Sequence, residues 1–261
     1  MKKLTKIGII GGGAMGKAVA TGLVEAGSVS PGVITIASPH PSKLSDMESL
    51  GVNLSADNRD AATGAELLIL AVKPWVVETV IREISDAIDL NRTEVAVIAA
   101  GISGDALRAF FGSRCPADLS IVMPNTAMRV RKSMTFIVTV EGPCNNARSV
   151  FGELGRVMEI GASQLPAATA VASCGIAFAM RYVRAVCQAG VELGLRPAEA
   201  QQMTAQTLEG VAALLQQPDA HPETEIDKVT TPGGLTVKGL NAMEKAGFTA
   251  AVIEGIKKSV K

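Results

Sequence analysis

Ile7-Gly8-Ile9-Ile10-Gly11-Gly12-Gly13-Ala14-Met15-Gly16 is an apolar run that ends in glycines spaced Gly11-x-Gly13-x-x-Gly16. A helical pattern follows, with Ala18, Val19, Gly22, Leu23 and Ala26 on one face. A strand feeding such a turn and then a helix is a dinucleotide seat. Gly11 permits the tight turn, Gly13 lets backbone approach a pyrophosphate, and Gly16 lets the helix pack on the strand. Ala14 and Met15 sit in the first helical turn, where unpaired N–H groups and the helix dipole favour an anion. The plain alternative is a glycine turn without a ligand; the strand before it and the helix after it argue for the seat.

Working outward, short apolar runs alternate with helical patterns, the signature of a parallel sheet with crossover helices. Strands are predicted at Lys6–Ile10, Val33–Ala37, Leu67–Val72, Val95–Ala100 and Leu119–Met123, with a short piece at Val52–Leu54. Helices are predicted near Ala14–Ala26, Pro41–Leu50, Pro74–Ile88 and Gly104–Phe111. Met134–Val140 and Val157–Ile160 read as strands flanking a helix near Asn145–Leu154. Beyond about Gly161 helical periodicity takes over, with a long Ala- and Gly-rich helix over Pro166–Leu193, another from Pro197 to about Gln216, and a loop over Pro218–Pro222. The fold class expected is an α/β Rossmann-type N-terminal domain with a mostly parallel sheet (residues 1–161), followed by an all-α C-terminal dimerisation and substrate domain (residues 162–261).

A second anion seat is written near the other end, in Thr230-Thr231-Pro232-Gly233-Gly234-Leu235-Thr236-Val237-Lys238-Gly239-Leu240. Two glycines after a proline open into a helical pattern with a hydroxyl, Thr236, in its first turn. Such a helix start suits a small anion such as a carboxylate. Thr236 could also be no more than a first-turn hydroxyl that satisfies the helix start.

Composition narrows the partners. The formal net charge is zero and aromatics make up 3% of 261 residues, without a basic tract or aromatic ladder, which argues against nucleic acid. No signal-peptide pattern precedes the first strand, and cytoplasmic residence is expected. The uncharged stretch Ile160–Met180 carries Gly161, Ser163, Gln164, Pro166, Thr169, Ser173 and Gly175, too many polar and breaking residues for a bilayer span. It reads instead as a subunit-interface helix, so a homodimer or larger homo-oligomer is expected and a membrane is not. Cys115, Cys144, Cys174 and Cys187 have neither C-x-x-C spacing nor, with only His40 and His221, zinc-ligand spacing; reduced thiols and no metal are expected.

Taken together, five motifs resemble the pyrroline-5-carboxylate reductase family: Gly11–Gly16, Ala71-Val72-Lys73-Pro74, Ala100-Gly101-Ile102, Met123-Pro124-Asn125-Thr126 and Thr231-Pro232-Gly233-Gly234-Leu235-Thr236. The resemblance implies hydride transfer from a reduced nicotinamide to the imine of 1-pyrroline-5-carboxylate, giving L-proline, the last step of proline biosynthesis. It implies that Thr236 hydrogen-bonds the reacting end of the substrate and that Gly233 and Gly234 offer N–H groups to its carboxylate. Thr231 and Asn125 complete the implied substrate set. Asn58 is implied at the adenosine side of the cofactor, Lys73-Pro74 and Met123-Pro124-Asn125 at the border of its nicotinamide, and Ala71, Val72, Ala100 and Gly101 among its other contacts. It further implies interlocked helical halves, the Pro-Gly-Gly element of one chain facing the nicotinamide held by another. Departures from the family pattern stand at Ile121 (often arginine), Ala127 (usually proline) and the Ala172–Phe178 stretch with Ile176.

The residues themselves bear on cofactor choice. NAD-specific folds place an acid at the end of the second strand to bind the ribose diol. Here that strand runs into Ser38-Pro39-His40-Pro41-Ser42-Lys43. Ser38, His40, Ser42 and Lys43 would meet a 2′-phosphate with donors, so NADPH is expected and NADH is the second candidate. Two rival functions stay open: an NAD(P)H-dependent reductase of a related cyclic imine or keto acid on the same fold, and a dinucleotide-binding sensor without turnover.

Overall fold

The computed structural model describes residues 4–260. Eight strands form one sheet: β1 Ile7–Ile10, β2 Ile34–Ala37, β3 Asn53–Ser55, β4 Leu67–Leu70, β5 Glu94–Val97, β6 Asp118–Met123, β7 Ser133–Glu141 and β8 Gly155–Glu159. Their spatial order is β3-β2-β1-β4-β5-β6-β7-β8. All neighbours are parallel except β6 and β7, joined antiparallel with an irregularity at Leu119/Ser120. The order reverses direction between β1 and β4, where a doubly wound sheet opens a crevice at the carboxyl ends of its strands.

Helices cover both faces: α1 Ala14–Ala26, α2 Ser45–Ser49, α3 Asn58–Ala62, α4 Val77–Ile84, α5 Gly104–Phe111 and α6 Asn145–Gly152. Strands buried on both sides read as continuous apolar runs, and β1 and β4 are buried throughout. Ile7, Ile9, Ile34, Ile36, Leu67 and Ile69 face one core with Val19 and Leu23 of α1 and Val150 and Phe151 of α6. Ile10, Leu68, Leu70, Val95 and Val97 face the other, with Ala61 and Ala62 of α3, Val77, Val80, Ile81 and Ile84 of α4, and Leu107 of α5. Each fully buried Leu or Ile contributes about 1.5–3 kcal/mol of transfer free energy. The apolar spacing 77, 80, 81, 84 gives α4 its single buried stripe.

The helices predicted at Ala14–Ala26 and Gly104–Phe111 lie at those residues. Two others are shorter than the pattern suggests. Pro41–Leu44 and Pro74–Val76 are single 3-10 turns before α2 and α4, and α4 ends at Ile84 rather than Ile88. A proline at the first position starts a turn easily, but the tighter 3-10 geometry carries only short pieces.

The chain divides into two compact units, the first reaching Ser173 and the second starting at Cys174. The stretch predicted as one helix over Pro166–Leu193 is α7 Leu165–Ala168, a π-helical segment Thr169–Cys174 and α8 Gly175–Glu192. Within the first unit, Asn125 Nδ2 donates to the Ala172 carbonyl at 3.3 Å and Ser173 Oγ to the Pro124 carbonyl at 3.4 Å.

The second unit continues with α9 Pro197–Leu215, α10 Pro222–Lys228, α11 Leu235–Lys245 and α12 Phe248–Lys257. The predicted loop over Pro218–Pro222 therefore gives way at its last residue to a helix the pattern did not announce. Tyr182 of α8 meets Phe248 of α12 edge-on, ring centroids 6.4 Å apart. Among the described residues of this unit only Ala200 and Thr204 are buried. Across both units, Ala162–Glu192 is the one helical stretch described that is long and apolar enough to cross a membrane by length and composition. Only 6% of its most apolar window is buried within the chain.

Candidate active site

The carboxyl ends of β2, β1 and β4 are stitched side by side. Gly11 N donates to Ala37 O at 2.9 Å, Ala71 N to Ile10 O at 2.8 Å, and Ser38 N to Ser55 O at 3.0 Å. These bonds bring three sequence-predicted segments, Gly11–Gly16, Ser38–Lys43 and Ala71–Pro74, to one edge of the sheet. Gly11 has φ +114°, and a β-carbon there would lie 2.4 Å from the Ala71 carbonyl oxygen. A side chain is excluded on both counts. Gly16 is buried in α1, and a β-carbon on it would reach 2.0 Å from Gly11 O.

Gly13 differs from both. It is the exposed N-cap of α1, in extended conformation, with no side-chain cap. A β-carbon there would meet nothing within 4 Å. Open space over the first turn of a thirteen-residue helix is what an incoming pyrophosphate requires, so the cradle fits a dinucleotide. Ala14 is exposed and Met15 half-buried in that turn.

Around the end of β2, Ser38 Oγ accepts from His40 N at 3.4 Å, while the side chains of His40, Ser42 and Lys43 are exposed. His40 precedes the first turn as its cap residue. The nearest acid that follows in sequence, Asp46, is tied to Lys17 of α1 by a 2.8 Å ion pair. That hydrogen bond holds its carboxyl below the usual carboxylate range. Lys17 Nζ also donates to Lys43 O at 3.3 Å, which anchors the turn to α1. Neither Lys17 nor Asp46 was singled out by the sequence, where they are 29 residues apart.

Asn58 opens α3, and its Nδ2 donates to Glu83 Oε2 of α4 at 2.8 Å. Lys73 is exposed before the Pro74 turn. Ala100 and Gly101 are exposed beyond the end of β5, Gly101 with φ +81°. Asn125 is only 8% exposed and its polar groups are all engaged. Its Oδ1 accepts from Ala127 N at 3.0 Å, Nδ2 donates to Ala172 O, and its N–H donates to Ser133 Oγ at 3.2 Å. It builds the turn after β6. Ile121, the departure in that strand, is buried in the core against α4 and α5. One exposed residue of this edge had no place in the sequence reading: Trp75, directly after Lys73-Pro74, is 78% exposed.

In the second unit, Thr231-Pro232-Gly233-Gly234 closes a turn through Gly234 N donating to Thr231 O at 2.9 Å. Gly233 has φ +74°, the value the third position of a proline-led type II turn demands. A β-carbon on Gly234 would lie 2.7 Å from Thr231 Oγ1. Gly234 then serves as N-cap of α11. Its N–H was expected to face a carboxylate; in the structure it closes the turn. The N–H groups of Leu235, Thr236 and Val237 in the first turn have no intrahelical acceptor. Thr236 is exposed among them.

A polar cavity of about 530 Å³ lies elsewhere, at the amino ends of the strands, lined by Glu66, Glu94, Asp118 and Asn146 among others. Ligands of doubly wound sheets bind at the carboxyl ends, and the glycine turn is there. Glu94 at this lower end is structural. Its carboxylate accepts from Asn146 N at 2.8 Å and Ala147 N at 2.7 Å, capping α6. Burial nevertheless pushes its carboxyl above the usual range, against those two bonds. Cys144 beside it is fully buried and its thiol is pushed up to about 12, chiefly by burial.

Comparison with known proteins agrees with this geometry. Residues 162–261 match the family model for pyrroline-5-carboxylate reductase dimerisation, and residues 6–101 match the model for NADP oxidoreductase, coenzyme F420-dependent. The pyrroline-5-carboxylate reductase of Synechocystis is 34% identical, over 97% of this chain and 94% of that protein. Pyrroline-5-carboxylate reductase 1 of Dictyostelium discoideum is 33% identical over 96% of this chain, which spans about half (48%) of that longer protein. The crystal structure of Plasmodium falciparum pyrroline carboxylate reductase with NADP bound shares the fold, with a TM-score of 0.86, 24% identity and coverage of 98% of this chain and 95% of that one. The dimerisation model takes in the whole exposed apolar stretch Ala162–Glu192. By its sequence, over nearly its full length, the chain belongs to the pyrroline-5-carboxylate reductase family.

Proposed function

We propose that this protein reduces 1-pyrroline-5-carboxylate to L-proline with NADPH, as a homo-oligomer in the cytoplasm. The observation that carries the cofactor half is the open approach over Gly13, at a helix start set against the ends of β2 and β4. The Plasmodium protein of the same fold was solved with NADP, and the model matching residues 6–101 is of an NADP oxidoreductase; both support the choice. So does the turn after β2, where the first acid that follows in sequence, Asp46, is already paired with Lys17. Ser38, His40 and Lys43 would then receive the 2′-phosphate, and Gly11, Gly13, Ala14, Met15 and Gly16 the pyrophosphate. Asn58 would reach the adenosine, and Ala71–Pro74, Ala100 and Gly101 would also line the cofactor.

When bound, NADPH supplies the hydride. The hydride goes to the imine carbon, the C=N π pair becomes a lone pair on nitrogen, and one proton taken up at nitrogen balances the charge. The protein's part is orientation: holding the ring carbon about 3–3.5 Å from the donor. The helix start at Gly233–Val237 would grip the substrate carboxylate, with Thr231 and Gly234 shaping its turn. The Thr236 hydroxyl would hydrogen-bond the reacting end, and Asn125 would hold the turn after β6 in place. Residues 1–161 form the cofactor domain in this reading, and residues 162–261 the dimerisation and substrate domain. The near absence of buried residues in the second unit supports the homo-oligomer, because such a unit must find its core in a partner.

The test is NADPH oxidation with 1-pyrroline-5-carboxylate beside a panel of other cyclic imines and keto acids. Turnover highest with 1-pyrroline-5-carboxylate upholds the reading. A clear preference for another imine would reassign the substrate, and Ile121, buried where the family often has arginine, is the observation that keeps that second reading in view.

A further inference from the structure

The chain has a single tryptophan, and its indole is exposed at the one edge of the sheet where the cofactor cradle lies. Trp75 belongs to the 3-10 turn Pro74–Val76 that leads from β4 into α4. A tryptophan left 78% in water forgoes the burial that ordinarily stabilises it, and no core need places it there. Its neighbours in the turn behave differently: Pro74 and Val76 are half-buried, and Val76 packs against the core beneath α4.

Position narrows the purpose. Ala71, four residues earlier, is bonded to Ile10 and lies against Gly11, so the turn starts at the pyrophosphate cradle. α3 and α4 share the sheet face opposite α1, and α3 runs beneath, across β1 and β2. A dinucleotide with its pyrophosphate on α1 and its 2′-phosphate at Ser38–Lys43 must set its purine over the ends of β1 and β2. There the only flat apolar side chain available from the α3–α4 side is Trp75. The nicotinamide leaves in the other direction, toward the ends of β5 and β6, so the turn that carries Pro74 and Trp75 falls on the adenosine side in this reading, not at the nicotinamide border that the resemblance implies for Lys73-Pro74.

We infer that Trp75 stacks on the adenine ring of the bound dinucleotide and so sets this chain's affinity for the adenosine half of its cofactor. This rests on the dinucleotide reading above, and concerns a residue that reading does not use. An indole face on a purine is a sequence-tolerant contact that removes both surfaces from water.

The probe is adenosine 2′,5′-bisphosphate, the adenosine half alone. Because the chain has one tryptophan, its emission reports this site and no other. Reduced nicotinamide absorbs in the range of indole emission, so energy transfer alone could dim Trp75; the bisphosphate and NADP⁺ avoid this. Titrated into the full-length protein, the bisphosphate is expected to quench the emission and shift it to the blue as the indole leaves water. Nicotinamide mononucleotide is expected to leave it unchanged. By calorimetry, Trp75→Ala should weaken the bisphosphate about 5- to 50-fold, and Trp75→Phe should restore most of that, with the thermal midpoint of both variants unchanged. Saturable binding of the bisphosphate without change in emission, or equal affinity in Trp75→Ala, overturns the stacking and leaves the dinucleotide reading standing. A response to the mononucleotide alone overturns the adenine assignment. No calorimetric binding of NADPH or the bisphosphate overturns both.

Discussion

Gly16 rests against the carbonyl oxygen of Gly11: a β-carbon on Gly16 would stand 2.0 Å from it. Three residues earlier on the same turn, Gly13 has empty space around it. Two glycines of one motif are thus required for different reasons, one by the folded chain and one by what approaches it.

The two roles separate by mutation. Gly13→Ala should leave the thermal midpoint unchanged and weaken NADPH by about tenfold or more, since the methyl fills the approach of the pyrophosphate. Gly16→Ala should lower stability as well as binding, because backbone must move to admit the methyl. Thermal unfolding and calorimetric titration of both variants check this; a destabilised Gly13→Ala would contradict it.

Thr236→Ala should act on turnover. The hydroxyl is exposed in the first turn of α11, so the fold does not depend on it. If its hydrogen bond tightens as the imine accepts hydride, kcat should fall by roughly 10- to 150-fold, or about 1.5–3 kcal/mol, with little change in the Kd for NADPH. Unchanged steady-state kinetics would return Thr236 to an ordinary helix-start residue.

Lys43 is exposed at the end of the turn that would take the 2′-phosphate. Lys43→Ala should raise the Kd for NADPH about fivefold while leaving that for NADH alone, a modest effect because exposed charges are screened. The preference of the unaltered protein for NADPH should shrink between low and high salt. Fluorescence titrations with both cofactors at two ionic strengths decide it.

Glu94 carries a pH dependence of stability. Its folded-state pKa is raised, so the native state favours its protonated form, and its stabilising contribution falls as pH rises through that pKa. Glu94→Gln cannot ionise. The midpoint of the variant relative to the unaltered protein should therefore improve from about pH 4.5, the unfolded value, to pH 7. The opposite trend would mean that the two N–H groups of α6 outweigh desolvation.

Oligomer architecture can be tested through function. If the Gly233–Thr236 seat of one protomer serves the nicotinamide held by its partner, co-expressing a Gly13-damaged and a Thr236-damaged chain should restore part of the activity in mixed dimers. Purifying the mixed species through two different tags and assaying it gives the answer; confirmed mixed dimers without activity would exclude shared sites.

Much of the first unit was legible because its signals are local. The apolar tetrapeptide Ile7–Ile10, the glycine spacing and the stripe of α1 all fall within twenty residues. What stayed hidden is non-local or lacks a period. α10, Pro222-Glu-Thr-Glu-Ile-Asp-Lys, has one aliphatic residue and no stripe; acids in its first turn and Lys228 in its last suit its dipole instead. The π segment Thr169–Cys174 is a change of hydrogen-bond register, which an Ala-rich pattern does not display. Among the candidate site residues, the two glycine-led helix starts, one in each unit, could be read from sequence, whereas Asn58 came only from the resemblance. Its partner Glu83, 25 residues away, and the Lys17–Asp46 tether are products of folding that no spacing rule announces.

Among its described residues the helical unit buries only Ala200 and Thr204 and leaves Leu193, Leu235 and Met180 in solvent, so the stability of that unit is tied to whatever assembly covers them. In a homo-oligomer held together this way dilution acts as a denaturant of the helical unit, whose melting midpoint is expected to fall with protein concentration, while the first unit keeps cores of its own.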